Sequence, residues 1–342
     1  MLNKIKQIIL NRSDQYNQVN DENTRLNNDL NKLEKLSNDL NKLSKKNNQM
    51  SKKLKSNKKT LDSHHNLLEL LYLNYEIKPK GVLEQIQLLN LELLIFMDNV
   101  CKKHGFKYWI DYGTLLGAKR HGSFIPWDDD VDVGMMREDY KLLYPIFQEE
   151  IKNFNLNEDI ILTDSNRSSP TMLFPFYQLI CCYKSISNVL GHIDIFPYDY
   201  LKSDNNITQE LFSDIRYNFY VSVHNGTSRE AAVNEFYKSL NLTYDETDLI
   251  LPGVDAVLGS VYPLQIIKTD EIFPLNNIKF MDRKFPCPNK SNEFLKKIYG
   301  DYNTFPKNIQ NHGLLNSVKL IENISDIYDK SIERMRQVNN SF

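Results

Sequence analysis

Residues 109–133 have the sequence WIDYGTLLGAKRHGSFIPWDDDVDV, in which a glycine turn is followed by a run of acids. If the acidic run is a strand, Asp130 and Asp132 point to one face while Val131 and Val133 point to the other. Two neighbouring carboxylates repel each other unless a cation lies between them, and hard oxygen ligands suit Mg²⁺ or Mn²⁺. The run therefore predicts a divalent-metal site on a strand.

Two simpler explanations fit the acidic run less well. A solvated turn would have polar flanks, but residues 124–127 on one side and Val131 and Val133 on the other are apolar or aromatic. A calcium loop counted from Asp128 would need glycine at its sixth position and glutamate at its twelfth, where this chain has Val133 and Asp139. The sequence leaves two roles for Asp128, because it either joins the metal-binding face or caps the entry to the strand.

A turn rich in small residues precedes the acids. Gly113 and Thr114 follow a predicted buried strand at residues 108–110. A glycine at such a corner lets backbone N–H groups approach a phosphate, and Thr114 can cap the helix that begins there. Lys119 and Arg120 lie one to two turns further along that helix, so we expect them to neutralise phosphate oxygens.

A small-residue turn followed by alternating acids is typical of the polymerase-β-like nucleotidyltransferase fold, and we predict an α+β domain with a mixed sheet and flanking helices. That fold normally uses a third carboxylate on a neighbouring strand. Our candidate is Asp194 in residues 191–197 (GHIDIFP), because burying a lone acid in an apolar strand is costly without a metal or cation. The alternative is an edge-strand aspartate bonded to backbone. Asp199, just beyond, is expected in a turn.

The N-terminal segment, residues 1–78, has a different character and predicts an α-helical coiled coil. Apolar residues recur at heptad spacing, and Asn47 on this seam favours a parallel dimer, hence a homo-oligomer. Residues 41–60 contain eight lysines and no acid, which indicates either a tether to an anionic partner or a solvated helix surface. One heptad position of the seam comprises Val19, Leu26, Leu33, Leu40, Asn47, Leu54, Leu61 and Leu68. The position three residues later comprises Leu36, Leu43, Met50, His64 and Leu71.

The rest of the chain divides into a catalytic domain at residues 79–315 and a C-terminal helical tail at 316–342.

The net charge of -2 argues against a nucleic-acid partner. No apolar run approaches the roughly 18–20 residues of a membrane span. The four cysteines form no C-x-x-C pair, so we expect reduced thiols and a cytoplasmic protein, with peripheral membrane association through the lysines as an alternative.

Three segments together resemble the LicD family, which includes bacterial phosphocholine transferases and animal fukutin-type ribitol-phosphate transferases. They are residues 109–132, the strand at 192–197, and a C-terminal segment with IFPL at 272–275 and YGDY at 299–302. The resemblance implies transfer of a phospho-alcohol, such as phosphocholine, from a cytidine diphosphate (CDP)-linked donor to a sugar hydroxyl of a glycan. Residues 201–260 lack recognisable motifs, and there we expect acceptor specificity.

The resemblance also implies roles for individual residues. It makes Asp130, Asp132 and Asp194 the catalytic acids and ligands of Mg²⁺ or Mn²⁺, and it assigns donor or phosphate contacts to Gly113, Thr114, Arg120 and His121. The position of Lys119 on the same helix adds it to these candidates. In-line displacement with two metal ions is the expected mechanism. Two alternatives stay open: nucleotidyl transfer onto a sugar phosphate or protein, and a non-catalytic coiled-coil scaffold.

Overall fold

The structure, a computed structural model, describes residues 1–167, 176–185, 188–202, 207–253, 264–306 and 313–342. The chain divides into two compact units, Met1–Asn74 and Tyr75–Phe342. Among the described helices, none combines membrane-spanning length with the apolar content that a bilayer crossing requires.

The first unit is one continuous helix, α1, at Leu2–Asn74. It contains neither glycine nor proline, the two residues that most often interrupt a helix. The apolar residues of the predicted seam are largely exposed along it. The long N-terminal helix is as predicted, whereas its pairing with a second helix stays a prediction.

The second unit contains the remaining helices. They are α2 (Val82–His104), α3 (Tyr112–His121), α4 (Arg137–Asn153), α5 (Gln209–His224), α6 (Arg229–Ser239), α7 (Thr269–Ile272), α8 (Ser291–Tyr299), α9 (Leu314–Val318) and α10 (Ile324–Asn339). Gly105 ends α2 in the left-handed conformation at φ 78°, and its N–H donates to the carbonyl of Cys101.

The described strands form a mixed sheet and a separate hairpin. They are β1 (Tyr108–Ile110), β2 (Val131–Met136), β3 (Ile160–Arg167), β4 (Phe176–Ser185), β5 (Asn188–Leu201), β6 (Leu242–Thr243), β7 (Leu249–Pro252), β8 (Ile267–Lys268), β9 (Asn276–Phe280) and β10 (Arg283–Cys287). The main path runs β1-β2-β5-β4-β3, with β6 and β7 on the far end of β5, β8 beside β7, and β9 paired with β10. Only β2 and β5 pair in parallel; the other described pairs are antiparallel. The predicted α+β class with a mixed sheet is confirmed.

The C-terminal helix α10 is built into the core of this second unit and is not a separate tail. Tyr328 and Met335 are fully buried, and the Tyr328 hydroxyl donates to the carbonyl of Leu190 at 2.8 Å. On α2, Glu92 accepts a hydrogen bond from Arg336 at 3.0 Å. The helix covers the apolar face of α2, so the unit extends past the boundary at residue 315 that we expected.

A buried ion pair joins α4 to the sheet at a residue expected in a turn. Asp199 lies within β5, where Arg137 donates to both of its oxygens, at 2.8 and 2.7 Å. Tyr237, on α6, donates a third hydrogen bond to the same carboxylate. Strand β5 continues beyond Pro197 because β7 pairs with this part of it, which a local sequence pattern does not reveal.

Replacing Asp199 with alanine should lower the free energy of unfolding by about 3–5 kcal/mol, because the buried guanidinium loses its bidentate partner. Chemical denaturation of the full chain measures this loss. The matched control is Asp270→Ala, which breaks the exposed pair with Lys290 and should change stability little. Equal losses in the two variants would contradict the structural role of the buried pair.

Candidate active site

The parallel register of β2 and β5 places four ionisable side chains side by side. Asp132 pairs directly with Asp194, and Val131 pairs with Ile193. One residue earlier in each segment, Asp130 immediately precedes Val131, the first residue of β2, and His192 immediately precedes Ile193 on β5. Because directly opposed residues share a face and alternate residues repeat it, the two acids of the run and two residues of β5 gather on one face of the sheet. Asp130 lies just before β2, which begins at Val131, and not within the strand as predicted.

Three of these residues present ligand atoms within 4.8 Å of one another: Asp130, His192 and Asp194. All three are buried, with exposed fractions of 3%, 5% and 7%. Neither ring nitrogen of His192 has a hydrogen-bond partner among the described residues. A buried imidazole with both nitrogens unsatisfied is costly, and a metal ion bound to one nitrogen relieves part of that cost. The donor set therefore fits a divalent cation.

Asp132 is tied to the start of α3. Its Oδ2 accepts the N–H of Gly113 at 3.0 Å, and its own N–H donates to the Thr114 hydroxyl at 2.8 Å. A Cβ on Gly113 would lie 3.0 Å from Asp128 Oδ2 and 3.2 Å from Asp132 Oδ2, so a larger residue would press on both acids. Here Gly113 and Thr114 orient an acid, whereas we predicted a phosphate contact and a helix cap.

Asp111, not Thr114, caps α3. Its Oδ1 accepts the Tyr112 N–H at 2.8 Å, and its Oδ2 accepts the Tyr198 hydroxyl at 2.6 Å. Complete burial raises the pKa of Asp111 to about 7, although these hydrogen bonds act in the opposite direction. The Asp111 N–H also donates to the carbonyl of Asp132 at 2.9 Å, so the cap and the acidic strand are held together.

Side chains of helix α2 donate hydrogen bonds to the backbone of the acidic run. Gln87 donates to the carbonyl of Asp128 at 2.8 Å. Asn90, which is fully buried, donates to the carbonyl of Asp129 at 3.0 Å and accepts the N–H of His192 at 2.9 Å. One amide side chain therefore connects the backbone of the acidic run to the backbone of β5. A Cβ on Gly191 would lie 2.4 Å from Asn90 Oδ1, so this approach requires glycine there.

The predicted phosphate-binding cations lie at the other end of α3. Lys119, Arg120 and His121 form its last turn, and a rise of 1.5 Å per residue places them roughly 9–12 Å along the axis from Gly113. Burial and the Arg120 charge lower the pKa of His121 to about 4, so this imidazole is neutral near pH 7. Their backbone therefore lies at the opposite end of α3 from Gly113, and their contact with a phosphate stays a prediction.

Sequence patterns found three acids of the site and missed two residues beside them. His192 was quoted only as part of a motif, although its position two residues before Asp194 on an alternating strand indicates the same face. Asn90 carried no signal, because an amide on an amphipathic helix is usually solvated. Its role depends on how α2 packs against the acidic run.

Comparisons of sequence relate part of the chain to known proteins. A family described as "LicD/FKTN/FKRP, nucleotidyltransferase domain" matches residues 105–229. Lipopolysaccharide cholinephosphotransferase LicD of Haemophilus influenzae is 26% identical over 263 residues, covering 66% of this chain and 93% of that protein.

Two other relatives match over shorter stretches. Human ribitol 5-phosphate transferase FKRP is 50% identical over 44 residues, which is 13% of this chain and 9% of that protein. An uncharacterised protein of Rickettsia prowazekii is 48% identical over 67 residues, 19% of this chain and 23% of its own length. The glycine turn, the acidic run and the strand with Asp194 all lie within residues 105–229, the part of the chain that is similar to the LicD/fukutin-related family.

Proposed function

We propose that this chain transfers a phospho-alcohol, with phosphocholine as the first candidate, from a CDP-linked donor to a sugar hydroxyl of a glycan. The observation that carries the proposal is the buried group of Asp130, His192 and Asp194, brought together by parallel strands. The similarity to a cholinephosphotransferase over most of that protein's length supports the donor class. A polymerase-β-like nucleotidyltransferase fold is part of the same proposal and is consistent with the mixed sheet.

We propose that Asp130, His192 and Asp194 hold a divalent metal, with Asp132 beside them on the same face. Mg²⁺ prefers oxygen ligands alone, whereas Mn²⁺ accepts carboxylates together with an imidazole, so Mn²⁺ suits this set better. When bound, such an ion supplies positive charge against the donor diphosphate and lowers the pKa of an acceptor hydroxyl.

The remaining steps concern the chain's own residues. The acceptor hydroxyl gives up its proton to water and its oxygen forms a bond to the β-phosphorus of the donor. The bond from that phosphorus to the bridging oxygen breaks, which releases cytidine monophosphate. Gly113 and Thr114 hold Asp132 in place during this exchange. Lys119 and Arg120, at the far end of α3, contact the donor only where it extends beyond the acids.

A donor with two labels tests the reaction. CDP-choline labelled in both choline and cytidine is incubated with the full chain, Mn²⁺ and a panel of oligosaccharides, and label on the products is measured. Choline label alone on an acceptor supports the proposal. Cytidine label on an acceptor would show nucleotidyl transfer, and failure of the chain to bind CDP-choline in calorimetry with Mn²⁺ would favour a scaffold.

Asp130→Asn and Asp194→Asn should each reduce turnover by a factor on the order of 10²–10³, because each removes a charge that positions the cation. The fold should persist, since asparagine has nearly the same shape, and circular dichroism checks this. The exposed Asp282, in the turn between β9 and β10, provides the control variant Asp282→Asn, which should keep full activity. Near wild-type turnover of either site variant would remove those acids from the mechanism.

His192→Ala should weaken Mn²⁺ binding at least about tenfold, because a nitrogen ligand is lost. Binding of Mg²⁺ should change less, since that ion relies on the carboxylates. Electron paramagnetic resonance of free Mn²⁺ measures the first affinity, and competition by Mg²⁺ measures the second. His224→Ala, at an exposed position on α5, is the matched control. Unchanged Mn²⁺ affinity would show that His192 is not a ligand.

Asn90→Ala should weaken Mn²⁺ binding without removing a ligand, because the amide alone connects the Asp129 carbonyl to the His192 N–H. It should also lower the free energy of unfolding by about 1–3 kcal/mol for each buried group left unsatisfied. Asn99→Ala, on the same helix, is the control. If Asn90→Ala loses stability but keeps wild-type Mn²⁺ affinity, the amide supports the fold and does not position the site.

A further inference from the structure

The leucines of the seam of α1 are exposed in the part of the chain that the structure describes. Leu26, Leu33, Leu40 and Leu54 are exposed by 62%, 63%, 68% and 73%. A helix of 73 residues spans roughly 110 Å, far longer than a helix needs for a stable pair. We infer that a second copy of this chain covers the seam and that the two helices run antiparallel. This inference is independent of the proposed enzymatic function.

Polar residues on the seam argue against a parallel pair. Glu22, Asp29, Asn47 and Asn57 occupy seam positions at the same heptad spacing as the leucines. In a parallel dimer in register, each seam residue meets its own copy. Two glutamates and two aspartates would then face each other inside the interface, where like charges are costly.

One antiparallel register gives Asp29 and Asn47 each other as partners, although Glu22 then faces Leu54 and Asn57 faces Val19. In the register that sets Leu36 against Leu40 of the second copy, Leu33 meets Leu43. On either side of this leucine block Asp29 then meets Asn47, so that an amide can donate to a carboxylate. The next layer is again apolar, because Leu26 meets Met50 there. Shifting the pairing by one heptad in one direction would set Asn47 against Leu36 and Asp29 against Leu54. Shifting it in the other direction would set Asn47 against Glu22 but Asp29 against Leu40, so of these three registers only the first pairs Asp29 with an amide.

Charge along the helix favours the same orientation. Residues 13–40 carry six acids and three bases, a net charge of -3, whereas residues 41–60 carry eight lysines and no acid. Parallel helices would place the two lysine blocks side by side. In the register above, antiparallel helices place residues 41–60 beside residues 16–35 of the other copy, which carry four acids and three bases, so the two lysine blocks no longer lie side by side and repulsion along the interface falls.

The two arguments are independent, since one concerns residues inside the seam and the other concerns the outer faces. Both point to a two-fold symmetric pair in which residue i contacts residue j and j contacts i. The orientation differs from the parallel dimer that Asn47 alone suggests, because Asn47 has Asp29 as an available partner. The lysine block then has residues 16–35 of the other copy opposite it.

Cysteine cross-linking of the full chain tests the orientation. One preparation carries Leu26→Cys, another carries Met50→Cys, and the two are mixed and oxidised. The proposal predicts a mixed disulfide between the two variants, identified by mass spectrometry of peptides. Self-linked dimers should be rare, because Leu26 and its own copy would lie roughly 36 Å apart along the axis, and a disulfide needs Cα atoms within about 7 Å. The unmodified chain, whose described free cysteines are buried, is the control.

Each result bears on the inference. Mixed disulfides support it, whereas self-linked dimers of both variants would establish a parallel pair and overturn it. A chain that sediments at its single-chain mass of 40.2 kDa at high concentration would overturn the pairing altogether. As a second measurement, raising the salt concentration should increase the Kd of the antiparallel dimer several-fold by screening the opposite charges. A parallel dimer should respond in the opposite sense, because salt would screen the repulsion of its lysine blocks.

Discussion

The parallel pairing of β2 with β5 determines the chemistry of this protein, because register decides which side chains share a face. With Asp132 opposite Asp194, the acids of one strand stand beside the acid and imidazole of the other. A slip of one residue would put Ile193 or Ile195 next to Asp132 and turn Asp194 to the other face. The antiparallel neighbours β1 and β4 enclose this pair, so the site is at the centre of the sheet and not at an edge.

Burying several acids together lowers the stability of the fold. Polar contacts around them orient one acid and satisfy the neighbouring backbone groups. Asp132 is oriented by Gly113 and Thr114, and the backbone behind the acidic run is satisfied by Gln87 and Asn90. None of these contacts neutralises a carboxylate charge. They fix the positions of the side chains and of the backbone around them, which suits a site that has to be in place before its ligand arrives.

Local pattern predicted the elements of this site and not the distances between them. The alternation of Asp130 and Asp132 and the apolar setting of Asp194 were enough to predict three acids on one face, although Asp130 lies just before β2 and not within it. The partner of Asp199 was not predictable in this way, because Arg137 is 62 residues away and the contact depends on how α4 packs. The same reason applies to Asn90, whose two partners lie on different elements. The C-terminal helix looked like a tail because amphipathic pattern does not say which surface a helix covers.

Both units use polar residues on apolar faces, and in both the polar residue selects one arrangement at some cost in stability. In the second unit, the register that sets Asp132 opposite Asp194 is also the one that brings Asp130, His192 and Asp194 together, so these polar residues mark a single pairing of β2 with β5. In α1, Asp29 and Asn47 reduce the apolar area of the seam, and they are best satisfied by each other in antiparallel helices. A seam of leucines alone would tolerate several orientations and registers. The polar exceptions to each pattern therefore carry more information about pairing than the apolar residues that define it.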